Sequence, residues 1–500
     1  MTSTSNPKTN TAHTRPASTT EHILTLADET LRYTATAEWQ TLFDKEKPIA
    51  ELFHIAYLAD EVDYSLRPIT FIFNGGPGAA SAYLHMGALG PKRVYFNADG
   101  SLPKPPVKIL DNQESWLCFS DLVFVDPIGT GFSRVLPQDQ EEDAAKEQEK
   151  TEDKFKETQF WEVERDLKSL GEFMQGFLSR KKRWLSPIFI AGESYGGFRV
   201  AKLARKLQQD FGIGLSGAIL ISPALEFSIL EGGDYNLSYW ATLIPSFAAA
   251  AAYHQRARWT SEPGDIDAHI RAAEKFTRQT YIPLLAMGDT APEDERQAVY
   301  QTLADLIGLP VSLIEKHGGR VDRDVFAREL LRKDKKIVGL YDAAITAIDP
   351  FPNRSTYAGS DPTLDGLQRL FTGGINHHLR DTLKVETDLS YHLLNFDIFK
   401  EWKFELKTDF KQGYIGAVDD LRVGMTLNPY MKVLITHGIF DLVTTYFASS
   451  HLAALMKLAT EVRPNLFLMN YRGGHMFYTW DESRRQWFEQ MQAFYQLALG

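Results

Sequence analysis

The sequence predicts an α/β protein with a mostly parallel central sheet, helices on both faces and a helical cap insertion. Six short apolar runs have the composition of strands buried on both faces; they cover residues 69–73, 122–125, 188–191, 218–221, 433–436 and 466–470. Helical patterns separate several of these runs, for example over residues 164–177 and 200–208. Such alternation is typical of a parallel sheet covered by helices.

The remaining segments define the expected domain boundaries. Alternating apolar and polar residues around 22–39 and over 52–58 predict half-buried antiparallel strands at one sheet edge. Strand and helix alternation then stops after about residue 226, and helix-forming segments follow at residues 268–278, 293–306 and 324–331. We therefore expect a core over residues 21–225 and 391–500, a mainly helical cap over 226–390, and a last amphipathic helix over 482–499.

Composition narrows the class of protein. With 500 residues, 44% hydrophobic and 24% charged, the chain has the size and balance of a folded enzyme. A net charge of -11 argues against nucleic acid as a partner, because nucleic-acid binders carry clustered Lys and Arg. The longest apolar stretch, residues 240–253, is shorter than the roughly 20 residues that cross a bilayer. We expect no membrane partner either.

The N-terminal segment and the cysteine content bear on location. Residues 1–20 are rich in Ser, Thr, Asn and Pro and contain no apolar signal-peptide core, so we expect them to be disordered. Cys118 is the single cysteine, so no intrachain disulfide can form, as suits a reducing compartment. These features favour a cytoplasmic protein; a secreted or periplasmic location stays open if a signal peptide precedes this sequence.

The segment Gly192-Glu193-Ser194-Tyr195-Gly196 carries the main chemical signal. It follows an apolar run and precedes a helical pattern, which is the strand-turn-helix context of G-x-S-x-G. Its glycines permit a tight turn that lifts Ser194 out of the sheet. This context predicts the α/β-hydrolase fold with Ser194 as nucleophile, followed along the chain by an acid and then a histidine.

Two later loops supply the expected partners of Ser194, because a serine hydroxyl needs a nearby base. His475 lies on a glycine-rich turn after residues 466–470, and Asp441 lies just past residues 433–436. His437 competes for the role of base but precedes the acid. Asp419 competes for the role of orienting carboxylate but precedes the strand.

The segment Asn74-Gly75-Gly76-Pro77-Gly78 follows the first buried run. In this fold the oxyanion accepts hydrogen bonds from the N–H of the residue after the nucleophile and from a loop near the start of the sheet. These donors are predicted to be Tyr195 and Gly76.

Five motifs in order resemble the serine carboxypeptidase family: NGGPG at residue 74, DPIGTGFS at 126, GESYGG at 192, GxxD at 438 and GGHM at 473. The resemblance covers residues 69–225 and 391–500. It implies an α/β-hydrolase with Ser194, Asp441 and His475 as the triad and with Gly76 and Tyr195 as oxyanion donors. It also implies that Asn74 and Glu193 bind the free carboxylate of a peptide.

One departure from the family pattern concerns the substrate. Where the family has a second glutamate, two residues before Gly-Pro, this chain has Ala88. A lone ionised Glu193 would repel a carboxylate. Three readings stay open: Glu193 is protonated through burial, the substrate has no free carboxylate, or a cation takes over, namely Lys92, Arg93, Arg134 or Arg199.

The sequence thus predicts a serine-type carboxypeptidase that forms an acyl-enzyme on a peptide or small acyl substrate. The alternatives are another acyl-transfer enzyme of the same fold (an esterase, an amidase, an aminopeptidase-like peptidase or an acyltransferase) and, as a different class, a non-catalytic binding protein. No cofactor and no metal are expected, since the adjacent His377 and His378 would point apart on a helix or strand.

Overall fold

A computed structural model of the chain describes residues 15–26, 30–136, 157–258, 264–404 and 415–500. Its strands within these ranges are β1 (Ser18–Thr25), β2 (Thr30–Asp44), β3 (Lys47–Ala59), β4 (Ile69–Phe73), β5 (Lys92–Val94), β6 (Ile109–Asp111), β7 (Asp121–Val125), β8 (Arg134–Val135), β9 (Ile188–Glu193), β10 (Gly217–Ile221), β11 (Lys336–Val338), β12 (Thr346–Ile348), β13 (Lys432–Gly438) and β14 (Leu466–Tyr471). Its α-helices are α1 (Ala82–Leu84), α2 (Val163–Arg180), α3 (Tyr195–Asp210), α4 (Leu237–Tyr253), α5 (Ile266–Phe276), α6 (Ile282–Met287), α7 (Glu293–Ile307), α8 (Val311–Lys316), α9 (Arg323–Glu329), α10 (Leu364–His377), α11 (Phe396–Glu401), α12 (Val418–Leu427), α13 (Tyr446–Leu455) and α14 (Asp481–Leu499).

A ten-stranded sheet organises the molecule in the order β1-β2-β3-β7-β4-β9-β10-β13-β14, with β8 paired to β3. From β7 to β14 all neighbours are parallel. β1 is antiparallel to β2, β2 to β3, and β3 to β7. The predicted α/β-hydrolase fold is confirmed.

The six buried runs predicted from the sequence correspond to β4, β7, β9, β10, β13 and β14. At the sheet edge, the segment predicted around residues 22–39 is divided between two paired strands, β1 and β2. β1 begins at Ser18, so the end of the segment expected to be disordered instead pairs with β2. Residues 1–14 lie outside the described ranges.

Helices cover both faces of the sheet. α2, α3 and α12 pack on one face, and α10 and α14 pack on the other. Phe71 and Ile72, consecutive residues of β4, belong to different hydrophobic clusters because side chains of a strand alternate between faces. Both faces therefore need apolar residues, which explains why the strand sequences are continuously hydrophobic.

The insertion after β10 has two parts. Buried residues of α4 to α9 and of the segment up to Ala344 form a hydrophobic cluster of their own with buried residues between Ile439 and Phe447. α10 instead lies in the cluster of the sheet and α14, so the structure gives the cap a boundary inside the predicted 226–390 insertion. α4 is the apolar stretch singled out in the sequence, and it packs inside this cluster. No helix among the described residues is long and apolar enough to span a bilayer.

Candidate active site

Ser194 occupies the turn between β9 and α3. Its backbone has φ 61° and ψ −121°, a conformation that side chains rarely permit. A Cβ atom at Gly192 would lie 2.2 Å from the carbonyl oxygen of Gly196, and one at Gly196 would lie 2.4 Å from that of Phe73. Both positions therefore require glycine. Ser194 is partly accessible while the residues on either side are buried.

Asp441 and His475 form a buried pair on the loops after β13 and β14. His475 Nδ1 lies 2.7 Å from Asp441 Oδ2. The other carboxylate oxygen, Asp441 Oδ1, accepts from the N–H groups of Val443 at 2.7 Å and Thr444 at 3.0 Å. Burial lowers the pKa of His475, but the charges of Asp441 and Glu193 outweigh it, so this pKa lies above its ordinary 6.5.

The loop after β10 connects the serine turn to this pair. Ser194 N donates to the carbonyl of Ile221 at 2.9 Å. The hydroxyl of the next residue, Ser222, donates to the carbonyl of His475 at 2.8 Å, and the backbone carbonyl of Ser222 accepts from Thr444 Oγ1 at 2.8 Å. The described residues show no hydrogen bond between Ser194 Oγ and the His475 ring; in free enzymes this contact often tightens only with substrate.

The competing residues lie elsewhere. His437 is a buried residue of β13 whose Nε2 bonds to Ser449 Oγ at 2.8 Å, and burial lowers its pKa to about 4. Asp419 is an exposed residue in the first turn of α12. Neither contacts His475 through a hydrogen bond or ion pair within the described chain, so the geometry favours Asp441 and His475.

The glycine loop after β4 packs directly on the serine turn. A Cβ atom at Gly75 would lie 2.5 Å from Tyr195 N and 2.9 Å from Ser194 Cβ. Gly76 has φ 98°, which glycine adopts freely. The N–H groups of Gly76 and Tyr195 donate to no residue of the described ranges. Two unused donors beside the serine suit an oxyanion-binding role.

Glu193 is buried at the end of β9, between two donors. Asn74 Nδ2 donates to its Oε2 at 2.6 Å, and the hydroxyl of Tyr478 donates to its Oε1 at 2.8 Å. Burial raises the pKa of Glu193 to about 7, against the lowering effect of His475 and these hydrogen bonds. Ala88 is also buried, and nothing acidic replaces the expected second carboxyl in the residues that bond to Glu193.

The four cationic side chains that could replace the second acid at the carboxylate site bond to other groups. Their partners are Asp111 for Lys92, the carbonyl of Val94 for Arg93, the carbonyls of Gly131, Ser133 and Ser390 for Arg134, and Asp166 with the carbonyl of Asn74 for Arg199. Arg199 thus stabilises the glycine loop by donating a 2.6 Å hydrogen bond to the Asn74 carbonyl. None bonds to Glu193.

Sequence reasoning missed residues that come from the insertion. The carbonyl of Tyr341 accepts from His475 N at 2.5 Å, and its ring meets the His475 ring edge-on at 5.3 Å. Asp342 accepts from Gly474 N at 2.9 Å. Tyr341 lies 134 positions before His475 in a segment without a recognisable motif, so no local signal revealed it.

Comparison with known proteins bears on the same residues. Residues 42–246, which include the glycine loop and the serine turn, match the family model of serine carboxypeptidases. This part of the chain is similar to serine carboxypeptidases. Asp441 and His475 lie outside the matched residues, so their placement depends on the geometry above.

Curated relatives of low identity include proteins named as carboxypeptidases or as serine carboxypeptidase-like. The pheromone-processing carboxypeptidase KEX1 of Yarrowia lipolytica is 25% identical over 258 residues, 47% of this chain and 36% of the relative. Serine carboxypeptidase-like 33 of Arabidopsis thaliana is 31% identical over 216 residues, 40% of each chain. This chain spans less than half the length of the curated relatives it matches. Among solved structures, proline iminopeptidase of Mycobacterium smegmatis aligns over 96% of this chain and 99% of its own, with 12% identity and a TM-score of 0.34.

Proposed function

We propose that this protein is a serine-type carboxypeptidase that hydrolyses the C-terminal peptide bond of a peptide through an acyl-enzyme. The observation that carries the proposal is the 2.7 Å hydrogen bond between Asp441 and His475. The loop of His475 is connected to the turn of Ser194 through the hydrogen bond that Ser222 donates to the His475 carbonyl. The serine carboxypeptidase match over residues 42–246 supports peptides as the substrate class.

In the proposed reaction, His475 Nε2 removes the proton of Ser194 as Oγ attacks the scissile carbonyl. The N–H groups of Gly76 and Tyr195 stabilise the oxyanion that forms. The intermediate collapses when His475 returns the proton to the leaving amine, which departs as the C-terminal amino acid. Ser194 then carries the acyl group of the remaining peptide.

Deacylation repeats these steps with water. His475 removes a proton from water, the hydroxide attacks the acyl carbonyl, and the proton passes to Ser194 Oγ as it leaves. Asp441 accepts from Nδ1–H throughout, so that Nε2 keeps the lone pair that acts as base. We infer that Asn74 and Glu193 bind the terminal carboxyl of the peptide.

A second candidate, an esterase or acyltransferase of the same fold, is favoured by one observation. Ala88 removes the second acid that the resemblance leads us to expect at the carboxylate site. Such an enzyme would use Ser194 in the same way, yet its substrate would need no free carboxylate.

The test is hydrolysis of N-blocked dipeptides, followed by detection of the released amino acid, beside simple esters of the same acyl group. We expect release by the natural protein and loss of release in Ser194→Ala, with Ser355→Ala, an exposed serine of the insertion, as the matched control. Ester cleavage without any release of C-terminal residues would overturn the carboxypeptidase proposal in favour of the second candidate. A fluorophosphonate that labels no serine in the folded protein would contradict both.

A further inference from the structure

Tyr478 takes the place of an acidic partner for Glu193. Its hydroxyl donates to Glu193 Oε1 at 2.8 Å, and Asn74 holds the other oxygen. A Cβ atom at Gly87, next to Ala88, would lie 2.8 Å from the Tyr478 ring. The tyrosine ring therefore fills space beside the position where a second acid was expected.

Tyr83 presents an unused donor to the same region. It is 6% exposed, and its hydroxyl is buried without a hydrogen-bond partner among the described residues. Leaving a buried hydroxyl unpaired costs about 1–3 kcal/mol, so such a group suggests a missing ligand. Burial, with smaller effects of Tyr341 and Glu193, raises the pKa of Tyr83, so its hydroxyl stays a neutral donor.

The backbone next to Tyr83 joins it to the carboxyl-binding residues. Leu84 N donates to Asn74 Oδ1 at 3.0 Å, while Asn74 Nδ2 donates to Glu193. The ring of Tyr83 packs on Phe371 of α10 with centroids 5.0 Å apart. Packing on Phe371 therefore orients the ring of Tyr83, because its hydroxyl has no hydrogen-bond partner among the described residues.

Tyr341 brings a third hydroxyl from the insertion. Its ring lies edge-on to His475, and it is partly accessible. Burial and the charges of Asp361, Asp441 and Glu193 raise its pKa to about 12, so the hydroxyl is a neutral donor at any working pH. Only the backbone carbonyl of Tyr341, not its hydroxyl, has a hydrogen bond recorded among the described residues. Tyr341 therefore lies beside His475.

We propose that Tyr83 and Tyr341 donate hydrogen bonds to the terminal carboxylate of the substrate, and that Tyr478 positions Glu193 beside them. This inference rests on the proposed function and names the groups that replace the second acid and any cation. Phenol hydroxyls can do this because each offers a donor without a charge to desolvate. A protonated Glu193 adds a further donor, whereas an ionised one repels the ligand.

The binding test uses Ser194→Ala, which keeps the site but cannot turn over. An N-acetylated dipeptide and its C-terminal amide are titrated into this variant by calorimetry at about pH 6, where Glu193 is largely protonated. We expect the acid to bind at least about tenfold more tightly than the amide. Adding Tyr83→Phe or Tyr341→Phe should weaken the acid about tenfold each and leave the amide unchanged. Tyr281→Phe, which removes a buried hydroxyl in the cap, is the matched control.

The role of Tyr478 has a separate readout. Because Tyr478 positions Glu193, Tyr478→Phe should move the pH above which the acid no longer binds more tightly than the amide. The affinity for the amide should stay constant. Equal binding of acid and amide by Ser194→Ala, or an unchanged preference in both Tyr83→Phe and Tyr341→Phe, would overturn the inference. These results are independent of hydrolysis: a chain that prefers the acid yet releases no amino acid refutes the proposed function alone.

Discussion

The carboxylate of Asp342 accepts a hydrogen bond from the backbone N–H of Gly474 at 2.9 Å, one residue before His475. The same oxygen accepts from Trp480 Nε1 at 2.9 Å. A Cβ atom at Gly474 would lie 2.0 Å from the Tyr341 carbonyl oxygen. Residues of the insertion thus contact the loop of His475 directly, and the close approach of Tyr341 requires glycine at position 474.

Removing this carboxylate should loosen the histidine loop. Asp342→Ala leaves Gly474 N and Trp480 Nε1 without partners, at a cost of about 1–3 kcal/mol for each buried group. We expect a lower Tm and a lower kcat, measured by calorimetry and by ester hydrolysis. Asp289→Ala, an exposed aspartate of the cap, is the control. Unchanged Tm and kcat in Asp342→Ala would show that the loop needs no support from the insertion.

The glycine loop tolerates no side chain at Gly75. In Gly75→Ala the new methyl group would meet Tyr195 N at 2.5 Å, so the loop or the serine turn must shift. Losing one oxyanion donor typically costs ~10²–10³ in rate, and we expect a fall in kcat of that order. Gly214→Ala, where nothing lies within 4 Å, should keep full activity. Wild-type kcat in a folded Gly75→Ala variant would remove Gly76 and Tyr195 from the proposed mechanism.

The tautomer of His475 depends on Asp441. In Asp441→Asn the amide can donate to Nδ1, which would leave the proton on Nε2 and remove the base. A fall in kcat of ~10⁴ is expected from this change. Steady-state kinetics on a blocked dipeptide would measure it, with the exposed Asp419→Asn as control. If Asp419→Asn caused the larger loss, the assignment of the orienting acid would be wrong.

Acid and amide substrates should differ in pH dependence. His475, whose pKa lies above 6.5, must be neutral to act as base, so kcat/KM rises with pH for both substrates. Glu193, with a pKa of about 7, also ionises as the pH rises and then repels a substrate carboxylate. The profile should therefore be bell-shaped for a free acid and should level off for its amide. Coincident profiles would argue that Glu193 does not face the carboxyl group.

Local sequence patterns were sufficient for the strands of the parallel sheet. The apolar run at residues 69–73 predicted both the first and the last residue of β4, because a strand buried on both faces must be apolar throughout. The edge was harder: a half-buried alternating pattern runs through both β1 and β2, and their division into a hairpin follows from pairing rather than from the pattern.

The sequence by itself determined the turn of Ser194, its glycine neighbours, and the order in which Asp441 and His475 follow their strands, because each depends on residues adjacent in the chain. Only the tertiary structure decided which groups surround Glu193. Tyr83, Tyr341 and Tyr478 come from a short helix, the insertion and the histidine loop, and each depends on how distant segments pack. The hydrogen bond from Tyr478 to Glu193, the unpaired hydroxyl of Tyr83 and the contact of the Tyr341 ring with His475 are properties of that packing, so no local pattern could have predicted them.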